Sequence, residues 1–341
     1  MRFYRLATLL AAGAFAGSAL AQSTPKTSLL VLSKQDHTLA IVDPISLKVI
    51  ARAPVGDDPH EVIAASDGRT AYVSNYGFGA FHTLTVIDVA GQRRLKAIDL
   101  GPLSGPHGLD FVHGELWFTA EGAKVIGRYD PVTDKVDWVM GTGQNRTHML
   151  YVFPDLKRIV TTNVASATVT ILDKTDGRAN LPAGPAPGPP GGNWDETVIP
   201  VGRGSEGFAI TPDGKQMWVA NAQDGTISVV DLEAKKVITT LDANVPAANR
   251  LEITPDGKLA LVSMLRSGDL AIVDVATRKV VKRLPIGHGS AGVLIQPDGE
   301  RAYVSCGPDN YVAVIDLKTL KVVAHIEAGG NPDGLAWAVE R

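Results

Sequence analysis

Short apolar runs, each alternating with polar residues at period two, recur along the chain at the spacing of roughly 40 to 45 residues seen in propeller blades. The clearest copy reads Phe208-Ala209-Ile210-Thr211-Pro212-Asp213-Gly214, then Gln216-Met217-Trp218-Val219-Ala220-Asn221, then Thr226-Ile227-Ser228-Val229-Val230-Asp231, then Lys236-Val237-Ile238-Thr239-Thr240. Its opening phrase returns at Leu251-Glu252-Ile253-Thr254-Pro255-Asp256-Gly257 and at Val293-Leu294-Ile295-Gln296-Pro297-Asp298-Gly299, with weaker copies from Val62, Leu109 and Leu150. Alternation rich in β-branched residues predicts half-buried strands, four to a unit. Asp-Gly pairs at 67–68, 213–214, 256–257 and 298–299 supply the positive φ that a tight hairpin between strands one and two requires.

Every third strand ends in aspartate: Asp43, Asp88, Asp130, Asp173, Asp231, Asp274 and Asp316. Their regular placement suits a carboxylate that caps its own turn. It does not suit seven separate catalytic groups. The first copy lacks an innermost strand and starts at Ser28-Leu29-Leu30-Val31-Leu32, whereas the last is followed by a surplus strand, Leu335-Ala336-Trp337-Ala338-Val339. Pairing the two removes both free edges. The pattern therefore predicts an all-β fold, a seven-bladed β-propeller of four-stranded antiparallel blades closed by its two ends.

The segments Ala71-Tyr72-Val73-Ser74-Asn75, Met217-Trp218-Val219-Ala220-Asn221 and Ala302-Tyr303-Val304-Ser305-Cys306 resemble the signature of YVTN-type propeller repeats. The resemblance covers nearly the whole chain after the N-terminal segment and implies the propeller fold without implying an activity. Cys306 and Met264 stand where the motif has asparagine, so those two blades are expected to lack its turn contacts. One blade, through Pro106-His107-Gly108, Leu116-Trp117-Phe118-Thr119-Ala120-Glu121 and Ile126-Gly127-Arg128-Tyr129-Asp130-Pro131, is similar to virginiamycin B lyase-type repeats.

Residues 1–21 carry Arg2 and Arg5, an apolar run from Leu6 to Leu20 and the small-residue pattern Ala19-Leu20-Ala21. That is the layout of a secretory signal peptide. It predicts a periplasmic or secreted protein whose residues 22–341 form one domain, without membrane insertion, acting as a monomer. The net charge is −3, with basic residues scattered, so nothing resembles a phosphate-binding face and nucleic acid is not expected as a partner. The single cysteine, Cys306, leaves burial and ring closure to hold the fold in an oxidising compartment. A Pro/Gly-rich stretch at 174–196 reads as a loop insertion after a third strand.

Antiparallel strands place the start of each first strand on the same face as the loop between strands two and three, opposite the Asp-Gly hairpins. Aligning the first-strand starts gives His60, His107, His148, Glu206, Arg250, Ala291 and Asp333 around one channel mouth. Imidazoles from adjacent blades beside a carboxylate suit a divalent transition metal such as zinc, copper, iron or manganese. His60, His107, His148 and Glu206 are the candidate ligands. Arg250 and Asp333 are candidates for binding a small ligand or for catalysis, with His288, Tyr76 and Phe78 as further ligand contacts. The same polar residues also suit a water-filled channel that holds no ligand. Neither haem nor a nucleotide is expected, because no Cys-x-x-Cys-His motif and no phosphate loop occurs. The functional readings are a binding protein for a metal ion, small molecule or periplasmic protein at this mouth, a metal-dependent lyase or hydrolase using the same cluster, and a redox role, against whose covalent-haem form the missing Cys-x-x-Cys-His motif argues.

Overall fold

Each repeat folds as one four-stranded antiparallel sheet. The computed structural model describes residues 23–175 and 193–341; the expected signal peptide lies outside them. The innermost strands are β28 (Pro332–Val339), β4 (Pro59–Ala64), β8 (Pro106–Val112), β12 (Thr147–Val152), β16 (Ser205–Ile210), β20 (Ala248–Ile253) and β24 (Ser290–Ile295). They pack against one another in that cyclic order, with β24 returning to β28, so seven blades surround a central channel. Among the described residues no helix is long and apolar enough to cross a membrane.

The expected closure is present. β28 pairs antiparallel with β1 (Thr27–Ser33), matching Leu29 to Trp337 and Val31 to Leu335. Trp337 Nε1 also donates to the Ile295 carbonyl at 3.0 Å, tying the first blade to the seventh. The middle strands of each blade are covered on both faces by neighbouring blades. β17 (Gln216–Asn221) and β18 (Thr226–Asp231) are accordingly buried almost throughout, while the outer β19 (Lys236–Leu241) alternates exposed and half-buried. Sandwiched strands need continuous apolar surface, and a half-covered one needs only every second residue.

Six of the third-strand aspartates cap their turns, as Asp130 does by accepting from the Val132 N–H at 2.8 Å and Asp274 from the Thr277 N–H at 2.7 Å. Asp173 behaves differently. β14 (Thr168–Thr175) and β15 (Asn193–Pro200) stay paired past it, matching Lys174 to Trp194 and Thr175 to Asn193. There is no turn at that point to cap. The carboxylate instead pairs with Arg158 Nε and Lys235 Nζ, each at 2.6 Å. The ends of the stretch read as a loop over 174–196 are thus strand, and the residues between lie outside the described part.

The innermost strands share one irregularity that shapes the channel mouth. Pairing of each with its neighbour is broken after the first residue and resumes at the fourth, as between Pro59 and Val62 or Thr147 and Leu150. A bulge of this kind re-aims the side chains it releases. It is stitched by a hydroxyl from strand two. Ser263 Oγ accepts from the Arg250 N–H at 3.0 Å and donates to the Ala291 carbonyl of the next blade at 2.6 Å. Thr119 links the Gly108 N–H (2.9 Å) to the His148 carbonyl (2.5 Å) in the same way. This explains the hydroxyl residue of the repeated motif, which sits before Asn75 as Ser74 and before Cys306 as Ser305. The asparagine contacts are also seen: Asn163 Nδ2 donates to Thr168 and Thr170 hydroxyls at 3.1 and 3.0 Å, whereas Cys306 Sγ reaches only carbonyls at 3.6 Å and beyond. Ser263→Ala should leave one buried N–H and one buried carbonyl unpaired, costing about 1–3 kcal/mol in denaturant unfolding. An unchanged midpoint would show the stitch to be dispensable.

Candidate functional site

The bulges bring two successive residues of each innermost strand to the channel mouth, and the loops after the second strands add more. His107 lies at the centre. It is fully buried, and neither of its ring nitrogens has a hydrogen-bond partner among the described residues. Its ring centre is 4.4 Å from that of His60, 3.7 Å from that of His148 and 5.0 Å from that of Tyr76. Three imidazoles from three consecutive blades therefore stand in contact, His107 meeting His60 edge-on at 67° and lying tilted by 35° against His148.

On one side of the three rings is Glu121, from the loop after β9 (Glu115–Ala120). It accepts from the Tyr76 hydroxyl, meets His148 Nδ1 at 2.5 Å and lies 3.3 Å from Arg146 Nε. His148 Nε2 is 2.8 Å from Glu206 Oε2, an ion-pair contact whose angle falls short of a hydrogen bond. On the other side, His60 Nδ1 is 3.0 Å from Asp333 and 2.6 Å from Lys34 Nζ. Lys34 also pairs with Asp58 at 2.8 Å, and Arg250 pairs with Glu61. Two sets of donor atoms lie within 4.8 Å of one another: His107, Glu121 and His148, all buried, and His60, Glu61 and His107. A depression of about 600 Å³ opens above them, lined by His60, Tyr76, Phe78, Arg146, His148 and Glu206.

The charges are arranged around the imidazoles. Burial holds the pKa of His107 well below its ordinary value, and the neighbouring His148 and His60 add to this; it is neutral. Burial also works against protonation of His148, but Glu206 and Glu121 outweigh it and raise the pKa. Burial alone would raise Glu206, yet His148, Arg250 and Arg146 bring it down to about 2. Asp333 is likewise held low against burial by His60, Lys34 and Arg250. Five carboxylates (Asp58, Glu61, Glu121, Glu206, Asp333) face Lys34, Arg146, Arg250 and the His148 imidazole with its raised pKa. The excess of negative charge favours a cation over an anion.

Of the residues singled out from sequence, His60, His107, His148, Glu206, Asp333 and Tyr76 are brought together. Arg250 is also present, but one register place away from its assigned alignment. The register makes Asn249 the counterpart of His60 and His148, because Ala248 pairs with Met264 and pairing resumes at Leu251. Arg250 therefore matches Glu61, to which it is bound across the channel. His288 is not part of the cluster: its side chain is 78% exposed and pairs with Asp309 on the rim. Phe78, in a Gly-Phe-Gly turn at φ 51°, is 88% exposed at the lip of the depression, while Tyr76 is buried. Glu61 and Glu121 were not read as metal ligands. Glu121 had a signal, since it follows a second strand and so falls on the mouth face. Glu61 had none beyond adjacency to His60.

Comparison with known proteins supports the fold. Residues 193–301 match the family model of the YNCE-like beta-propeller, in agreement with the YVTN-type repeats. No curated protein matches the sequence. Among solved structures, a functionally unknown protein from Desulfotomaculum acetoxidans aligns with TM-score 0.70 and 15% identity, covering 89% of this chain and 98% of the other. The hydrazine synthase of Kuenenia stuttgartiensis aligns with TM-score 0.68 and 18% identity over 89% and 99%. Dihydro-heme d1 dehydrogenase NirN, in complex with DHE, aligns with TM-score 0.62 and 16% identity over 97% and 78%. At these identities the likeness concerns the fold alone.

Proposed function

Starting from a seven-bladed propeller with a YNCE-like stretch over residues 193–301, we propose that the protein is an exported binding protein that holds a divalent transition-metal ion at the mouth of its channel. The carrying observation is His107, a buried imidazole with both nitrogens unpaired. An unpaired buried polar atom costs about 1–3 kcal/mol, so this ring is expensive to keep unless something uses it. A metal ion does, and the adjacent His148 and Glu121 supply two more donors. Tetrahedral bonds of about 2.1 Å set ligand atoms roughly 3.4 Å apart, so Glu121 and His148 Nδ1, now 2.5 Å apart, must open slightly to admit the ion, and all three donors already lie within 4.8 Å of one another. Glu206, on the far nitrogen of His148, orients that ring and keeps its basicity high. The mixed nitrogen and oxygen donors, without thiolate, favour zinc or copper(II) over softer-site metals.

The test is titration of chelator-stripped protein with zinc and then copper(II), read by metal analysis and thermal melting. About one tightly bound equivalent is expected, with an increase of about 2.7 kcal/mol in stability when free metal reaches 100 times Kd. No retained metal and an unchanged melt would overturn the proposal.

A lyase or hydrolase at the same centre is the second reading, favoured by the open depression beside the buried donors. Its two candidate catalytic groups are engaged: Asp333 with His60 and Lys34, and Arg250 with Glu61. Turnover of lactones that requires added metal and disappears in His107→Leu would favour the enzyme; metal-independent turnover would sink it.

A further inference from the structure

The other end of the channel has different chemistry. Between β12, β16 and β20, on the side of the Asp-Gly hairpins, lies a cavity of about 580 Å³ lined by Met149, Tyr151, Phe153, Phe208, Ile210 and Glu252. Tyr151 and Phe153 stand edge to face with ring centres 5.1 Å apart. The five of these residues other than Glu252 are apolar or aromatic and half-buried, and Thr211 and Asp213 line the hairpin end of the cavity.

Glu252 occupies the fifth place of its innermost strand, opposite Leu261. The register puts Ile63, Tyr151, Ala209, Leu294 and Ala336 at this place in five other blades, and Asp110 in the sixth. Asp110 is provided for, accepting from the Val152 and Phe111 N–H groups at 2.8 Å each. Glu252 has no hydrogen bond and no ion pair among the described residues. It touches the channel yet is surrounded by protein, and burial alone lifts its carboxyl to about 8, with no charge close enough to contribute. The charged groups nearby have partners of their own: Asp213, which lines the hairpin end, accepts from the Thr211 hydroxyl and the Lys215 N–H, and Arg158, whose guanidinium lies 6.0 Å over the Phe153 ring, is paired with Asp173.

We propose that this cavity binds a small organic cation, with a primary ammonium group against Glu252 and an apolar or aromatic body against Tyr151, Phe153 and Phe208. A carboxylate anion would meet an electron-rich wall and a second carboxyl. A metal ion would find Glu252 alone free, because Asp213, the other carboxylate lining the cavity, is held by the Thr211 hydroxyl and the Lys215 N–H. An ammonium group supplies the missing charge and the missing N–H donors together, and aromatic faces attract cations once water is displaced. Binding then moves one proton from the Glu252 carboxyl to solvent, leaving a carboxylate paired with the ammonium. This site is independent of the metal centre at the opposite mouth.

The test is calorimetric titration of the whole protein at pH 7 with 2-phenylethylammonium and with its neutral analogue 2-phenylethanol, each in two buffers of different ionisation heat. The ammonium is expected to bind at least about tenfold more tightly, with release of close to one proton. Glu252→Gln should abolish both the preference and the release while still binding the alcohol. Equal binding of the two probes, a preference that survives in Glu252→Gln, or binding of neither would overturn the proposal. Melting of the variant checks its fold and the state of the carboxyl together. Between its ordinary pKa and about 8, folded Glu252 keeps a proton that the unfolded chain has released. Its stabilising effect is therefore whole at low pH and lost as pH rises. Glu252→Gln should melt higher than the parent at pH 8, and the gain should vanish toward pH 4. A variant that melts lower at pH 8 would show that the carboxyl is ionised and paired, which also overturns the proposal.

Discussion

Truncation after Asn331 should leave no folded monomer. The missing strand, β28, is the innermost one of the first blade, although it comes last in the chain. Without it β1 loses the partner that matches Leu29 to Trp337 and Leu30 to Ala336. β4 and β24, which flank it in the ring, lose their neighbour on that side. The buried side chains Ala336 and Ala338 disappear from the core shared with the second blade, and Leu30, Leu32 and Val62 are laid open. Seven blades close a ring only if all seven are complete, so the loss is not confined to one sheet. The cost is comparable with the whole stability of a domain, about 5–15 kcal/mol, and the exposed edge invites pairing with other chains. Circular dichroism melting and gel filtration would check this. A cooperative melt from a monomeric truncated protein would mean that six blades and a fragment suffice.

The second large effect has opposite signs in two measurements. His107→Leu should bind zinc or copper(II) at least about 100-fold more weakly, as loss of a central ligand requires. The metal-free variant should nevertheless be more stable than the parent. Removing two unpaired buried nitrogens relieves about 1–3 kcal/mol each. The lost ring contacts with His148 and His60 are worth about 0.5–1.5 kcal/mol together. The balance is a gain of about 0.5–5.5 kcal/mol. A site kept for binding at the expense of stability gives this pattern. Metal affinity unchanged in the variant would place the centre elsewhere. A variant destabilised without metal would mean that the His107 nitrogens are satisfied in solution.

Much of this was readable from the chain. The period-two runs, the Asp-Gly hairpins and the missing and surplus strands led to the blade number and the closure, because strand alternation and turn chemistry are local properties. The mouth face followed from antiparallel order alone, and with it the meeting of His60, His107 and His148. The errors share one cause. Arg250 was set level with the histidines as the start of the first strand of its blade. The bulge after Ala248 shows that Asn249 holds that place. His288 sits in a loop near the ring, but Asp309 turns it outward onto the rim. Asp173 looked like every other turn cap until the long β14–β15 pairing removed its turn.

The amino-acid sequence by itself determined the strands, their number, their order and the end of the channel on which three histidines gather. Repetition enforces all of these, and every copy votes for the same answer. Only the tertiary structure decided which acidic groups stand beside those histidines. Glu121 comes from a loop one blade away from His148, and Arg250 reaches Glu61 from 189 positions along the chain. Partners that distant meet through ring closure and bulge register, and neither leaves a mark on local sequence. The same holds for what His107 lacks: its unpaired nitrogens are a property of everything packed around it.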